Sequence, residues 1–380
     1  MEGLTAVGLM SGTSMDGIDV ALVKSDGLSS IAFGPSHSVP YPPKIRDRIK
    51  QGLVEALDIK LAANRCDRPG SLETLERDLT DAHVEAVQAC LSAHSLGRDA
   101  INLIGFHGQT VLHRPEIALT VQLGDGPRMA DRLGTPTVYD FRAEDMKHGG
   151  QGAPLIPVFH QALAQRLVAD GIATFPVAFV NIGGIANVSY IDHENDPIAF
   201  DTGPGNALLD QWMEEQAGIP FDQGGRIASE GRVDDAIVKR VLGHTFFDVA
   251  GPKSLDRGDF LPLTDSLDLA DGAATLAAVT ARSIARAREH FPKPPKCWII
   301  GGGGRLNTTL MTMLATELRD DKAVVWTAEQ AGLDGDMLEA QAFAYLAIRS
   351  EKALPLTFPT TTGCKAAVAG GLTAKPASQV

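Results

Sequence analysis

The sequence predicts an α/β protein made of two similar halves, each a mixed sheet flanked by helices. Strand-like apolar runs alternate with segments of helical period along the whole chain. Two strand–turn–strand units, one starting at Ala6 and one at Val177, recur about 170 residues apart and point to a duplicated domain. A length of 380 residues suits about two domains, each able to bury a core.

In order, Ala6 to Met10 reads as a strand, Ser11 to Gly17 as a polar turn and Ile18 to Val23 as a second strand, because turn residues bound each apolar run. Apolar spacing predicts helices over Pro43 to Leu57 and Leu72 to Ala93. Ile101 to Phe106 is a short strand, IALTVQL another, Pro127 to Leu133 a helix, Thr135 to Tyr139 a strand and Pro154 to Ala169 a helix. In the second half VAFVNIGG runs into a glycine turn, IANVSYID leads out, and IAF is a further strand. Helices follow at Asn206 to Gln216, Val233 to Leu242 and Ala273 to His290. KCWII and AVVW are strands, and Thr308 to Arg319 and Met337 to Glu351 are helices. From Leu354 the periodicity is lost and the end is expected to fray. No linker marks a boundary. It is placed after residue 134, giving domain I over 1–134 and domain II from residue 135 on, the two lobes sharing a cleft.

Charge and cysteines exclude several function classes. With 47 acidic against 34 basic residues the net charge is −13, which repels nucleic-acid backbones and anionic membranes. The four cysteines lack C-x-x-C spacing and read as buried or incidental thiols of a reducing compartment. The first residues carry an acid where a signal peptide needs basic residues, and no apolar run reaches the roughly 20 residues of a membrane span, so a cytoplasmic location is expected. Glycine, 39 of 380 residues without a G-X-Y period, is in excess, and the excess belongs in turns where backbone meets something closely.

Six segments bear on chemistry. In SGTSMDGID, Ser11 to Asp19, backbone N–H groups can line an anion nest, Thr13 and Ser14 can donate to phosphate oxygens, and Asp16 can hold magnesium through water. The other role for such a tip is an exposed hairpin turn. The loop is neither a Walker A sequence nor a GxGxxG. NIGGIAN, Asn181 to Asn187, is a second glycine turn that either admits a phosphate or marks close packing. In FDTGPGN, Asp201 ends a strand, where a carboxylate can accept a proton from a nucleophile or cap the turn. CWIIGGGGRLN ends a strand in four glycines, letting a flat ring or phosphate approach, with Arg305 or Asn307 to orient it. FHGQTVLH holds His107 and His113 at a spacing poor for a metal, so polar residues near a sheet edge are the default there. In the loop from Asp140 to Pro157, Arg142 is the residue suited to a carboxylate.

Together with DMLEAQAFA and PTTTG, these motifs run nearly end to end, and the chain closely resembles the anhydro-N-acetylmuramic acid kinases of the sugar kinase, heat-shock chaperone and actin superfamily. The resemblance implies a two-lobed actin-like ATPase fold, each lobe a ribonuclease H-like mixed sheet, with a late segment, 365–380, crossing back to domain I and leaving domain II as 135–364. It implies an enzyme of cell-wall recycling that uses ATP, Mg2+ and water to open 1,6-anhydro-N-acetylmuramic acid and phosphorylate O6. By motif, Ser11, Gly12, Thr13, Ser14, Met15, Asp16, Gly17, Ile18 and Asp19 surround the triphosphate, with Asp16 near the metal. Asn181, Gly183 and Gly184 form the second phosphate loop, and Gly301, Gly302, Gly303 and Asn307 the adenosine side. Asp201 is the implied base and Glu339 a second carboxylate, although an acid on a surface helix is also what Glu339 suggests. His107, Gln109, Arg142, Gly203 and Asn206 fall to the sugar. A homodimer is compatible with the family, and the sequence leaves the oligomeric state open. The competing readings are a kinase for another sugar, a conformational ATPase, and a metalloenzyme using His107 and His113.

Overall fold

A computed structural model of the chain describes residues 3–12, 15–255, 258–260 and 267–377. The chain forms two compact units, Met1–Arg166 with Met337–Val380, and Leu167–Asp336. Its strands are β1 (Leu4–Met10), β2 (Gly17–Ser25), β3 (Ile31–Pro40), β4 (Leu103–Phe106), β5 (Gln109–Arg114), β6 (Leu119–Leu123) and β7 (Thr137–Tyr139). Then come β8 (Val177–Ile182), β9 (Ile185–Ile191), β10 (Ile198–Pro204), β11 (Cys297–Gly301), β12 (Val324–Thr327) and β13 (Leu372–Ala374).

In the first unit the main sheet has the order β13-β7-β4-β1-β2-β3. β1, β2 and β3 form an antiparallel meander, and β4 and β7 run parallel to β1. The second unit repeats this plan as β10-β9-β8-β11-β12, with β8 to β10 antiparallel and β11 and β12 parallel to β8. The expected duplication is therefore present strand for strand, each half a mixed sheet with crossover helices. β5 and β6 form a separate hairpin, and β13 adds an antiparallel edge to β7. The first core gathers Val7, Val20, Leu75, Val87, Ile104 and Leu123, and the second Val180, Val188, Ile284, Trp298 and Leu314.

The helix Leu338–Glu351 lies on β1, β2 and β4. Gly8 and Gly105 are register partners on adjacent parallel strands, and a Cβ on either would collide with the helix backbone at the carbonyl of Ala340 or Phe343. Paired glycines thus let the helix rest on bare strand backbone, which seats Glu339 in its first turn over this sheet.

The boundary expected after residue 134 lies instead at Arg166 and Leu167, and the returning segment begins at Met337 rather than 365. Ladder pairing explains both changes: β7 completes the first sheet, and the nearly all-buried helix from Leu338 packs on that sheet. Its burial all round removes the polar stripe that would have shown which way it faces. The edge strand β3 is absent from the sequence reading because Gly34, Pro35 and its serines break any apolar alternation. The end expected to fray is ordered through residue 377 by β13 and the Thr357–Val368 bridge. Among the described residues no helix is long and apolar enough to cross a membrane.

Candidate active site

The β1–β2 turn is braced by a short set of hydrogen bonds. Met15, at φ 58°, donates its N–H to the Gly12 carbonyl at 3.1 Å. Arg46 braces the far side, its Nε donating to the Met15 carbonyl and its Nη2 to Asp16, both at 3.0 Å. Asp16 remains three-quarters exposed. Asp19 accepts from the Ser38 hydroxyl at 2.6 Å, Ser11 and Ile18 are buried, and Gly17 lies tight against Val39. Thr13 and Ser14 lie outside the described residues. Gln109, fully buried, donates to the Gly12 carbonyl at 3.4 Å, so this residue expected on the sugar also supports the tip.

A second group forms around Arg142. Its Nη1 donates to the Gly152 carbonyl at 2.8 Å, and its Nε and Nη2 lie 3.3 and 2.9 Å from His107 Nε2. Burial, and then the charge of Arg142, hold His107 well below the usual histidine range. The ring is neutral, and its Nε2 must accept, which assigns the proton to Nδ1. A nitrogen occupied by a guanidinium and pushed against protonation is a poor metal ligand, and His113 bonds Thr120 instead; this argues against the metalloenzyme reading. Burial brings the Arg142 guanidinium down to about 10, against the opposing pull of Glu339 and Asp145. Glu339 is half-buried, not an acid on an open helix face: burial raises its carboxyl, Arg142 lowers it and Asp19 raises it. Asp19 and Arg142, from two other motifs, therefore both lie within electrostatic reach of Glu339.

In the second unit the three glycine motifs converge. The Gly205 and Asn206 N–H groups donate to the carbonyls of Gly184 and Gly183 at 3.0 and 2.7 Å, and Asn206 Nδ2 reaches the Ile182 carbonyl at 3.3 Å. A Cβ on Gly302 would collide with Asn181, and one on Gly304 with Ile182. Gly183 and Gly303 differ: a Cβ there would meet nothing closer than 3.6 and 3.9 Å, so their bareness leaves room rather than relieving a clash. Arg305 and Asn307 are committed elsewhere. Arg305 bonds Glu329, Asp336 and the Gly302 carbonyl, and Asn307 caps the helix Thr308–Glu317 by accepting from Leu310 N–H at 2.9 Å. Both shape the glycine turn instead of offering free polar groups through these atoms.

Asp201 sits at a β-bulge where the β9–β10 register shifts before Gly203, whose φ of 151° suits glycine and where a Cβ would come within 2.8 Å of Ser283. The bulge sets the carboxylate beside the segment 251–255: Asp201 N–H donates to the Lys253 carbonyl at 3.0 Å, and Leu255 N–H donates to Asp201 Oδ2 at 2.8 Å.

Two participants escaped the sequence reading. Asp145 is buried and accepts from Gly152 N–H and the hydroxyls of Thr357 and Thr362 at 2.5 to 2.7 Å, tying the Arg142 loop to PTTTG. An acid among glycines four residues before GGQG was the available signal. Lys253 follows a Gly-Pro pair, and nothing local in the sequence links it to Asp201.

Residues 4–375 match the family described as anhydro-N-acetylmuramic acid kinase. The chain is 51% identical over 372 residues to the anhydro-N-acetylmuramic acid kinase of Brucella canis, covering 98% of each chain. It is 51% identical over 374 residues to that of Rhodopseudomonas palustris, covering 98% of this chain and 100% of the relative. Among solved structures, a ROK family glucokinase from Streptomyces griseus aligns at a TM-score of 0.42 and 15% identity over 90% of this chain and 99% of its own. On the near full-length match, the chain belongs to the anhydro-N-acetylmuramic acid kinase family.

Proposed function

We propose that the chain opens the 1,6-anhydro ring of anhydro-N-acetylmuramic acid with water and phosphorylates O6 from ATP, with Asp201 as the base. Family membership over residues 4–375 carries the reaction, and the bulge that fixes Asp201 next to the converged glycine turns supports the assignment of the base. Asp201 takes a proton from water as the water oxygen bonds the anomeric carbon. The C1–O6 bond breaks, O6 takes the γ-phosphoryl group and ADP leaves, so charge and atoms balance. Positioning of water, sugar and phosphate supplies most of the rate. The Met15–Asp16 tip and the open faces of Gly183 and Gly303 take the phosphates, and Arg142 pairs with the lactyl carboxylate.

Among the described residues no cluster of three potential metal ligands exists. That fits magnesium, which keeps several waters and is held by one or two carboxylates plus substrate phosphates. Asp16, exposed and, among the described residues, paired with Arg46 in a weak surface ion pair, suits water-mediated binding. The ion would offset charge on the phosphates. A cytoplasmic setting and a homodimer are in keeping with this reading. The test is Asp201→Asn: it should bind ATP normally and turn over at least about a hundredfold more slowly, the scale of a positioned base. Near-normal turnover removes Asp201 from the mechanism.

A further inference from the structure

Asp201 is held by a segment that has its own anchor. Gly251–Leu255 runs beside β10 and contributes both bonds noted above, one to the Asp201 N–H and one to its carboxylate. Between them sits Lys253. Its Nζ donates to the Phe246 carbonyl at 2.9 Å and lies 4.4 Å from the Phe246 ring centroid and 5.4 Å from that of Phe200, the residue before Asp201. Gly251 packs against the same Phe200 ring, where a Cβ would approach to 2.5 Å. The space beside the lysine, lined by Phe200, Thr202, Phe247, Ser283 and His290, amounts to about 10 Å³, room for one water at most. Arg286 and Ala287 line the same space.

We propose that Lys253 is a positioning residue for the reaction: its ammonium, fixed by the Phe246 carbonyl and two aromatic faces, holds the 251–255 segment so that Leu255 N–H orients the Asp201 carboxylate toward water. This rests on Asp201 being the base. An ammonium over two rings gains cation–π attraction that grows as water is excluded. Burial first and Arg286 second bring the lysine down to about 8, with Asp248 opposing. Around neutral pH it remains mostly charged, as the anchor requires. An N–H bonded to a carboxylate favours its ionised form, so loosening the segment should raise the pKa of the base.

The test compares Lys253→Met, Lys253→Arg and Asp201→Asn in the full chain. Lys253→Met keeps the apolar stem and loses the ammonium. It should lower kcat about 10- to 100-fold, the cost of a small misplacement, leave the KM for ATP unchanged, and shift the acid limb of the kcat–pH profile upward. Lys253→Arg should recover most of kcat and return the limb. Wild-type kcat in Lys253→Met, or a loss of kcat with an unmoved limb, overturns the proposal. Should Lys253→Met not fold, Lys253→Gln, which keeps a donor for the Phe246 carbonyl without the charge, carries the same expectation. If Asp201→Asn itself turns over normally, the reading of the base fails; if it is inactive while Lys253→Met is normal, only the positioning role fails.

Discussion

Arg142 has three of its five N–H groups occupied by His107 and Gly152, which leaves two, in a fixed plane, for a ligand. Arg142→Ala should therefore raise the KM for the anhydro sugar and leave that for ATP unchanged, and steady-state kinetics with each substrate varied in turn reads the split. Equal effects on both would contradict the carboxylate role. Arg142→Lys should not rescue, because an ammonium cannot hold His107 and Gly152 and still present a planar fork. A residue's chemistry could be read from its type within a motif, which is how Asp201 beside Gly-Pro-Gly and Arg142 in a polar loop were singled out for the roles proposed for them. It was not legible for Arg305 and Asn307, whose polar groups turned to ion pairs and a helix cap. Nor was it for Asp145, two of whose partners, Thr357 and Thr362, lie over two hundred positions away.

The glycine turns and the helix resting on Gly8 and Gly105 are where element geometry becomes function. Gly105→Ala drives a methyl into the helix carbonyl at Phe343 and should cost about 1–3 kcal/mol, the range for overpacking. Urea unfolding measures it; an unchanged midpoint would mean that the helix is not in backbone contact with β4. In the tip, Gly12→Val should weaken ATP affinity while the fold holds, and calorimetry showing wild-type affinity would refute the phosphate-loop assignment. The two hairpins were readable because polar or glycine turns punctuate apolar strands. β3 and β13 were not, since β3 is polar and broken by Gly34 and Pro35, β13 is three residues long, and the partners of both are set by the ladder.

Across the whole molecule, buried histidines and a half-buried carboxyl carry opposite pH signatures. In the first unit, burial holds His83 at about 4, His160 at about 3 and His107 well below the usual range. With folded values below the unfolded one near 6.5, the unfolded chain takes up protons first, so stability present above pH 6.5 is lost as pH falls toward 4. In the second unit, burial raises Asp210 to about 6. There the folded state holds its proton longer, so stability declines as pH rises from about 4 to 6. Thermal melts should show Asp210→Asn gaining on the wild type at pH 7 and losing that gain at pH 4; a constant difference would contradict the assignment. The α/β class and the duplication were legible at this scale because both halves repeat strand–turn–strand. The boundary was not, because membership is decided by which ladder β7 joins and by a returning helix with no polar face.

The most direct test of the central claim is ADP release by the purified chain with ATP and magnesium, with and without 1,6-anhydro-N-acetylmuramic acid, in water enriched in oxygen-18. Coupled ring opening and phosphorylation predicts ADP release only with the sugar, and a 6-phosphate product whose mass shows a single heavy oxygen from water. ADP release indifferent to the sugar, or a phosphorylated product that has taken no oxygen from water, would contradict it.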